Sequence, residues 1–479
     1  MAFAVMGAIL IYSWRNMSRP KILRVGYPLS FVERGGKLLD PTNTDTIYEF
    51  YLLENLSIGL VRDSSQSPSG YEPGLAQSWE RLSPTRWVFE LKRDLAWSDG
   101  TPIEAQAIAD HIRSLSRKEH RHIVYLKRLR LVTVEDTRII LDFDVPTNDG
   151  LIHELSLADA ALLDPRNLAG DWRVVSGAYS VKSFEPDKML ILRRNPHYSG
   201  PRDYPDQVEL VNYTTSTIAN IFKSADIDMV RIPIPAFRSQ NQELLSHASQ
   251  VLKGYPTSIY YFYFNSQKPL WRDLEARKDL ALVVDQALAG LSLPGLTRER
   301  QLIPEGYSGH LDVSPATNST LTRRLAGKKL KINLPPSFSE VESLREALKT
   351  HFAKAGASLD FNFSSALNPA GDDADLQMTS FSGNQRDAMG SWQFLFSPEY
   401  GDLVQFRSDV IPFFGRIMAM ETKEARESSL GDLHRHVLDE VYAIPLFIES
   451  NQIAASNRSD LSHLNPFDMR LRFYEVKWK

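Results

Sequence analysis

The chain has 479 residues and no cysteine. That absence removes disulfides, thiolate metal sites, a cysteine nucleophile and a lipid-modified cysteine together. Charge of one sign is also missing. Lys and Arg number 55 against 59 Asp and Glu, a net of −4, so the balance points to no nucleic acid or other polyanion partner. Catalytic signatures are incomplete wherever they begin. Gly306-Tyr-Ser308-Gly309 is one residue short of Gly-x-Ser-x-Gly. His153-Glu154 lacks the second histidine of a zinc helix, and Gly327-Lys328 lacks the upstream glycine of a phosphate loop. The acid pairs Asp372-Asp373 and Asp439-Glu440 are adjacent and diverge on any regular element. His434-x-His436 with Asp439 is the best metal guess, but a spacing of two points helical side chains apart. His120 and His122 stand among cations and read as a solvated face. No cofactor, metal or nucleophile set is therefore legible, and an enzyme would have to assemble its site wholly from long-range contacts.

What is present is ordinary globular composition, 43% hydrophobic and 24% charged, on a length that suits two or three domains. Met1 to Trp14 is apolar apart from Ser13, and Arg15, Arg19, Lys21 and Arg24 follow. That segment is short for a bilayer crossing, which takes about 20 residues. It suits the apolar part of a signal peptide or a membrane anchor. No basic residue precedes it and no Ala-x-Ala follows, and the positive-inside tendency even favours a cytoplasmic C-terminal part. The expectation is export, with residues 1–21 as a signal or tether, or else a start site placed too late.

Periodicity organises the rest. Trp87, Phe89 and Leu91 alternate with Val88, Glu90 and Lys92, which predicts a strand with one buried face. Asp99-Gly100 is turn chemistry. Thr101-Pro-Ile-Glu104 has the form of a capping box with proline at the first helical position, ahead of Ala105, Ile108, Ile112 and Leu115 on one face. Thr46 to Leu60 is helical in pattern. Leu131–Val134 and Arg138–Phe143 read as a hairpin turning at Glu135-Asp136-Thr137. Leu330, Ile332 and Leu334 alternate, then Val341, Leu344, Leu348 and Phe352 recur at helical spacing with Ser339 as a possible N-cap and Gly356 as terminator. Leu359, Phe361 and Phe363 alternate again. Strand–helix–strand predicts a parallel βαβ unit. There is no internal repeat.

Several stretches are similar to the family 5 extracellular solute-binding proteins of ABC importers, the oligopeptide, dipeptide and nickel receptors. They are Pro73, Leu75-Ala76, Ser78-Trp79, Trp87, Phe89, Trp97, Asp99-Gly100 and Pro102; Leu39-Asp40-Pro41; Ser176-Gly177-Ala178-Tyr179; Asn195-Pro196-His197-Tyr198; Ile227-Asp228; Tyr442-Ala-Ile-Pro445; and Trp478. The resemblance runs from about Ile22 to Trp478 and is weakest between Asn265 and Leu330. It implies an α/β, two-lobed periplasmic-binding-protein fold (type II, cluster C) with an extra inserted domain. One lobe would be residues 22–45, 171–264 and 444–479, the inserted domain 46–170, and the second lobe 265–443.

The same resemblance implies a monomeric, non-enzymatic receptor at the periplasm or the outer face of the cytoplasmic membrane. It would take a small peptide or other polar solute by hinge closure and hand it to a membrane permease, without cofactor, metal or nucleic acid. A membrane-anchored solute sensor without transport and a hydrolase on the same scaffold are the alternatives. In peptide-binding members an acid that pairs with the ligand amine sits in Asp-x-x-x-x-x-Trp-x-x-Asp-Tyr-x-Asp-Pro. Counted from Asp375, Phe381 falls at the Trp position, Asn384 at the amine-pairing Asp and Asp387 at the second acid, with Ala388 for Pro. Ser382, Trp392, Tyr27 and Phe31 complete the candidate ligand-binding set. With Asn384 in place of an acid, the expectation is a ligand that is not a zwitterionic di- or tripeptide held by its amine. A buried ammonium needs a charged partner.

Overall fold

The computed structural model describes residues 20–34, 37–39, 41, 44, 46–64, 70–117, 123–201, 203–214, 217–224, 226–232, 239–293, 295–312, 321–364, 373–382, 388–398, 401–464 and 470–478. Met1–Trp14, His120, His122 and Asp372 lie outside the described residues. No helix among the described residues is long and apolar enough to cross a membrane.

One sheet of 11 strands runs through the molecule in the order Tyr179–Glu185, Met189–Arg194, Gln207–Asn212, Ile22–Tyr27, Met229–Arg231, Ala443–Ala455, Gln250–Phe264, Leu376–Ser382, Lys329–Leu334 and Ser358–Phe363, with Leu296–Arg298 beside Ala443–Ala455. Two members are long: Gln250–Phe264 has 15 residues and Ala443–Ala455 has 13. They pair antiparallel along almost their whole length and join the two halves of the sheet; they are called the crossing strands below. The aromatic run in the first of them shows why it sits at the centre. Tyr260, Phe262 and Phe264 enter one core, while Ile259, Tyr261 and Tyr263 enter another on the opposite face, the period of two of a strand covered on both sides.

The predicted βαβ unit is present. Lys329–Leu334 and Ser358–Phe363 pair in parallel, Ile332 opposite Phe361, and helix Glu342–Lys354 buries Leu344, Leu348 and Phe352. Gly356 ends that helix at φ 81, a left-handed conformation that suits glycine. Ser339 is not its cap. Its hydroxyl donates to the Pro336 carbonyl in a short turn, Pro336–Glu340, that precedes the helix.

A separate four-stranded antiparallel sheet holds Ala76–Ser83, Arg86–Leu91, Arg138–Phe143 and Leu129–Glu135. Trp87, Phe89 and Leu91 are buried as the alternation predicts. Helix Ala105–Arg117 covers this sheet with Ile108, Ile112 and Leu115. Its start corrects the capping expectation. Asp99 Oδ1 accepts from the N–H and the hydroxyl of Thr101, at 3.0 and 2.6 Å, and Trp97 N–H donates to the Thr101 carbonyl. Thr101 and Pro102 thus close a turn, and the first helical N–H groups go to the Glu104 carbonyl.

A true capping box lies elsewhere, at helix Ile47–Leu56. Thr46 accepts from Glu49 N–H, and Glu49 accepts from Thr46 N–H at 2.7 Å. That helix stops four residues before the expected Leu60. Ser57 is extended, and Gly59 presses its backbone so close to Leu155 that a Cβ there would stand 2.6 Å from the Leu155 carbonyl oxygen.

Candidate functional site

Both groups of parallel strands end at the same place. In the first group Ile22–Tyr27 pairs in parallel with Gln207–Asn212 and Met229–Arg231, so Tyr27, Asn212 and Arg231 share one edge. In the second, Lys329–Leu334 pairs in parallel with Leu376–Ser382, Ile332 opposite Leu376, so Leu376–Ser382 runs on past Leu334 to end at Ser382. Open α/β sheets bind ligands outside the carboxyl ends of parallel strands. Here both edges converge on one stretch of the crossing strands. Ser382 stands opposite Ser258, which stands opposite Glu449. Ile232 N–H donates to the Gln452 carbonyl from the other side. Along this stretch the ladder is irregular, with register shifts between Lys253 and Pro256 and again between Pro256 and Ser258. Pro256 has no N–H to give, and such irregularities bend a strand.

The first edge is aromatic and cationic. After Tyr27 the chain makes a short turn, Leu29–Phe31, tied to the neighbouring strand end by Leu29 N–H donating to Asn212 Oδ1 at 3.0 Å. Tyr27 donates its hydroxyl to the Tyr48 carbonyl, and Phe31 stacks on the Tyr48 ring at 5.5 Å and 13°. The Tyr48 phenol faces Tyr213 and Arg231. Arg231 lies 5.8 Å from the centre of the Tyr51 ring and donates Nη2 to Asn451 Oδ1. Asn451 donates Nδ2 to Thr257 Oγ1 at 2.8 Å. The edge is thus fastened to both crossing strands.

The second edge is smaller. Ser258 and Ser382 share a hydroxyl hydrogen bond of 2.7 Å, and Tyr260 donates to Glu449 Oε2 at 2.9 Å. Beneath it, Asp402 accepts from Tyr261 at 2.5 Å. Burial pushes the Asp402 carboxyl up to about 6, against the pull of hydrogen bonds from Tyr261 and Tyr263.

The sequence candidates distribute unevenly. Tyr27, Phe31 and Ser382 stand at the carboxyl edges, Tyr27 buried and Phe31 49% exposed. Phe381 turns to the opposite side from Ser382 and packs edge-on to Tyr261 at 5.8 Å. Trp392, on helix Ala388–Leu395, has no exposed surface and packs against Phe396 and His434 in the core. Asn384 and Asp387 fall outside the described residues.

Sequence reasoning passed over Tyr48, Tyr213, Arg231, Thr257, Glu449 and Asn451. Two signals were available. Arg231 interrupts an apolar stretch between Val230 and Ile232, and Glu449-Ser-Asn-Gln452 interrupts an otherwise apolar crossing strand. A charge inside a covered strand needs a partner or a role.

The metal guess dissolves in the structure. Leu302 N–H donates to His434 Nε2 at 3.1 Å and His434 Nδ1 donates to the Gly309 carbonyl at 2.9 Å. Burial pulls this imidazole down to about 3, so it is neutral and its ring nitrogens are both used. His436 stacks on Phe413 instead. No group of three or more possible metal ligands occurs among the described residues.

Comparison with known proteins gives a consistent answer. The periplasmic oligopeptide-binding protein OppA of Escherichia coli K12 is 26% identical over 289 residues, 52% of this chain and 50% of that protein. The probable D,D-dipeptide-binding periplasmic protein DdpA of the same organism is 25% identical over 266 residues, 52% and 51% of the two chains. This chain therefore spans about half the length of the curated relatives it matches. In fold, the crystal structure of NikA from Brucella suis in complex with Fe(III)-EDTA superposes with a TM-score of 0.78 at 15% identity, over 96% of this chain and 100% of that one. The architecture is accordingly the two-lobed periplasmic-binding-protein fold. The family model of the bacterial extracellular solute-binding proteins, family 5 (middle region), matches residues 70–400, well over half of the sequence, and the chain belongs to that family.

Proposed function

We propose that this chain is the solute-capturing component of an ABC importer, taking a peptide-like or other polar solute between two lobes. The observation that carries the reading is the convergence of the carboxyl ends of both parallel strand groups on one irregular stretch of the crossing strands. That stretch is a hinge, and the two edges are the walls that close. Ligand stabilises the closed form because only there does it touch both walls. The division proposed from the chain order is residues 22–45, 171–264 and 444–479 for one lobe, 46–170 for an inserted domain and 265–443 for the other lobe. The molecule acts as a monomer outside the cytoplasmic membrane, tethered by residues 1–21 or released from them, and delivers to a permease. It binds without turnover. Asn384 follows Ser382 and Gly383, next to the second wall in sequence, and with Asp387 it contributes ligand contacts.

Solution scattering on the purified chain, with free and N-acetylated peptide libraries and product analysis by mass spectrometry, tests this. The expected result is a smaller radius of gyration on binding, unaltered peptide, and retention that survives N-acetylation. Cleaved peptide would make the chain a hydrolase, and an unchanged radius with bound ligand would remove hinge closure.

A further inference from the structure

We propose that Arg231 is an oxyanion anchor in the wall of this cleft, so that the captured solute carries a carboxylate or a phosphoryl-type group. The inference rests on the solute-capture reading above. Arg231 is 2% exposed. Its neighbours are the Asn451 amide, the Tyr48 phenol and the face of Tyr51. All are neutral. No ion pair reaches it among the described residues.

Two other buried arginines show what is missing. Arg470 and Arg472 are as well covered, and each is held by acids: Arg470 by Glu54, and Arg472 by Glu54, Asp63 and Glu475. A buried cation without a counter-ion is costly, and contact with an aromatic face offsets only part of that cost. The Nε of Arg231 has no hydrogen-bond partner among the described residues. That donor is thus unfilled beside the Nη2 that Asn451 holds, and the side of a guanidinium formed by Nε and Nη2 fits the oxygens of a carboxylate or phosphate.

Position argues the same way. Arg231 ends its parallel strand, where open sheets bind ligands, and its one side-chain amide partner belongs to a crossing strand. The covering layer is thin. Tyr48 lies between the guanidinium and Phe31, and Phe31 is half exposed on a turn of three residues. A rotation of Phe31 and Tyr48 opens the fork to the cleft. An oxyanion seated there would bond to one wall and, through Asn451 and Thr257, to the hinge itself.

The test compares retention on the native chain of a random N-acetylated tripeptide library as free acids, the same library as C-terminal carboxamides, and a set of amino-acid and sugar phosphates, read by mass spectrometry. The expected result is that acids or phosphates are retained at least tenfold better than carboxamides, the stronger of the two identifying the source of the oxyanion. Arg231→Gln should level acids with carboxamides, while Arg231→Lys keeps part of the preference. Equal retention of acids and carboxamides by the unmodified chain overturns the anchor and leaves solute capture standing, and this comparison needs no variant to fold. A preference that persists in Arg231→Gln also overturns it. Retention of none of the probes overturns the anchor and leaves solute capture to an uncharged polar solute.

Discussion

The two walls of the cleft are built from different materials. The wall at the end of Ile22–Tyr27 and Met229–Arg231 is a layer of rings around one buried cation, fastened to the hinge through Asn451 and Thr257. The wall at the end of Leu376–Ser382 meets the hinge through a pair of serine hydroxyls, with its aromatic residues turned into the core behind it. The first carries a buried cation among rings. The second offers little besides small polar groups along its described edge. A binding protein so divided would recognise with one wall and cover with the other.

The largest expected effect falls on the fastening of the first wall. Asn451→Leu removes the acceptor for Arg231 and the donor to Thr257 at one position. It leaves a buried guanidinium with fewer bonds, and should cost about 3 kcal/mol in urea denaturation. A loss below about 1 kcal/mol would mean that the rings alone carry the cation and that the two walls are less different than drawn. Next comes the acid beneath the second wall. Burial raises Asp402 from 3.8 to about 6. Its ionisation is thus disfavoured in the folded chain. The protonated form's contribution is full below pH 3.8 and is lost as pH rises through 6. Melting temperature measured from pH 4 to pH 7.5 should fall for the unmodified chain relative to Asp402→Asn, and the gap should close again on acidification. Parallel curves would show that the carboxyl titrates at an ordinary value. The smallest effect belongs to Ser382→Ala, expected at less than about 1 kcal/mol because Ser258 can turn its hydroxyl elsewhere. A loss comparable to that of Asn451→Leu would erase the distinction between the walls.

How much of this could be read from the residues depended on how local each feature is. The strand at Trp87–Leu91 and the unit from Leu330 to Phe363 were legible because their periodicity is contained in a few residues. The two Thr-x-x-Glu tetrads mark the limit. Thr46 and Glu49 close a capping box, whereas Thr101 is claimed by Asp99 two residues earlier and never reaches Glu104. The tetrad is the same; a competing carboxylate upstream decides. The site was less legible still. Tyr27, Phe31 and Ser382 could be placed by their position along the chain, but Arg231, Asn451 and Thr257 come from three distant strands, and only the sheet order brings them together. Trp392 shows the converse: it was grouped with the ligand-binding candidates, and its helix turns it into the core.

The amide of Asn55 gives the fold a schedule. It donates to the Leu471 carbonyl at 2.7 Å and accepts from the Phe473 N–H at 2.9 Å, partners more than four hundred residues downstream. The core around it also contains Ile453, Leu461, Leu464 and Val476. A chain made from its N-terminus forward can form helix Ile47–Leu56 early, but the cavity that receives Asn55 stays unlined until Leu471 and Phe473 have been synthesised. The first half of the molecule is therefore begun first and finished last. Until then it remains open, with apolar surface uncovered.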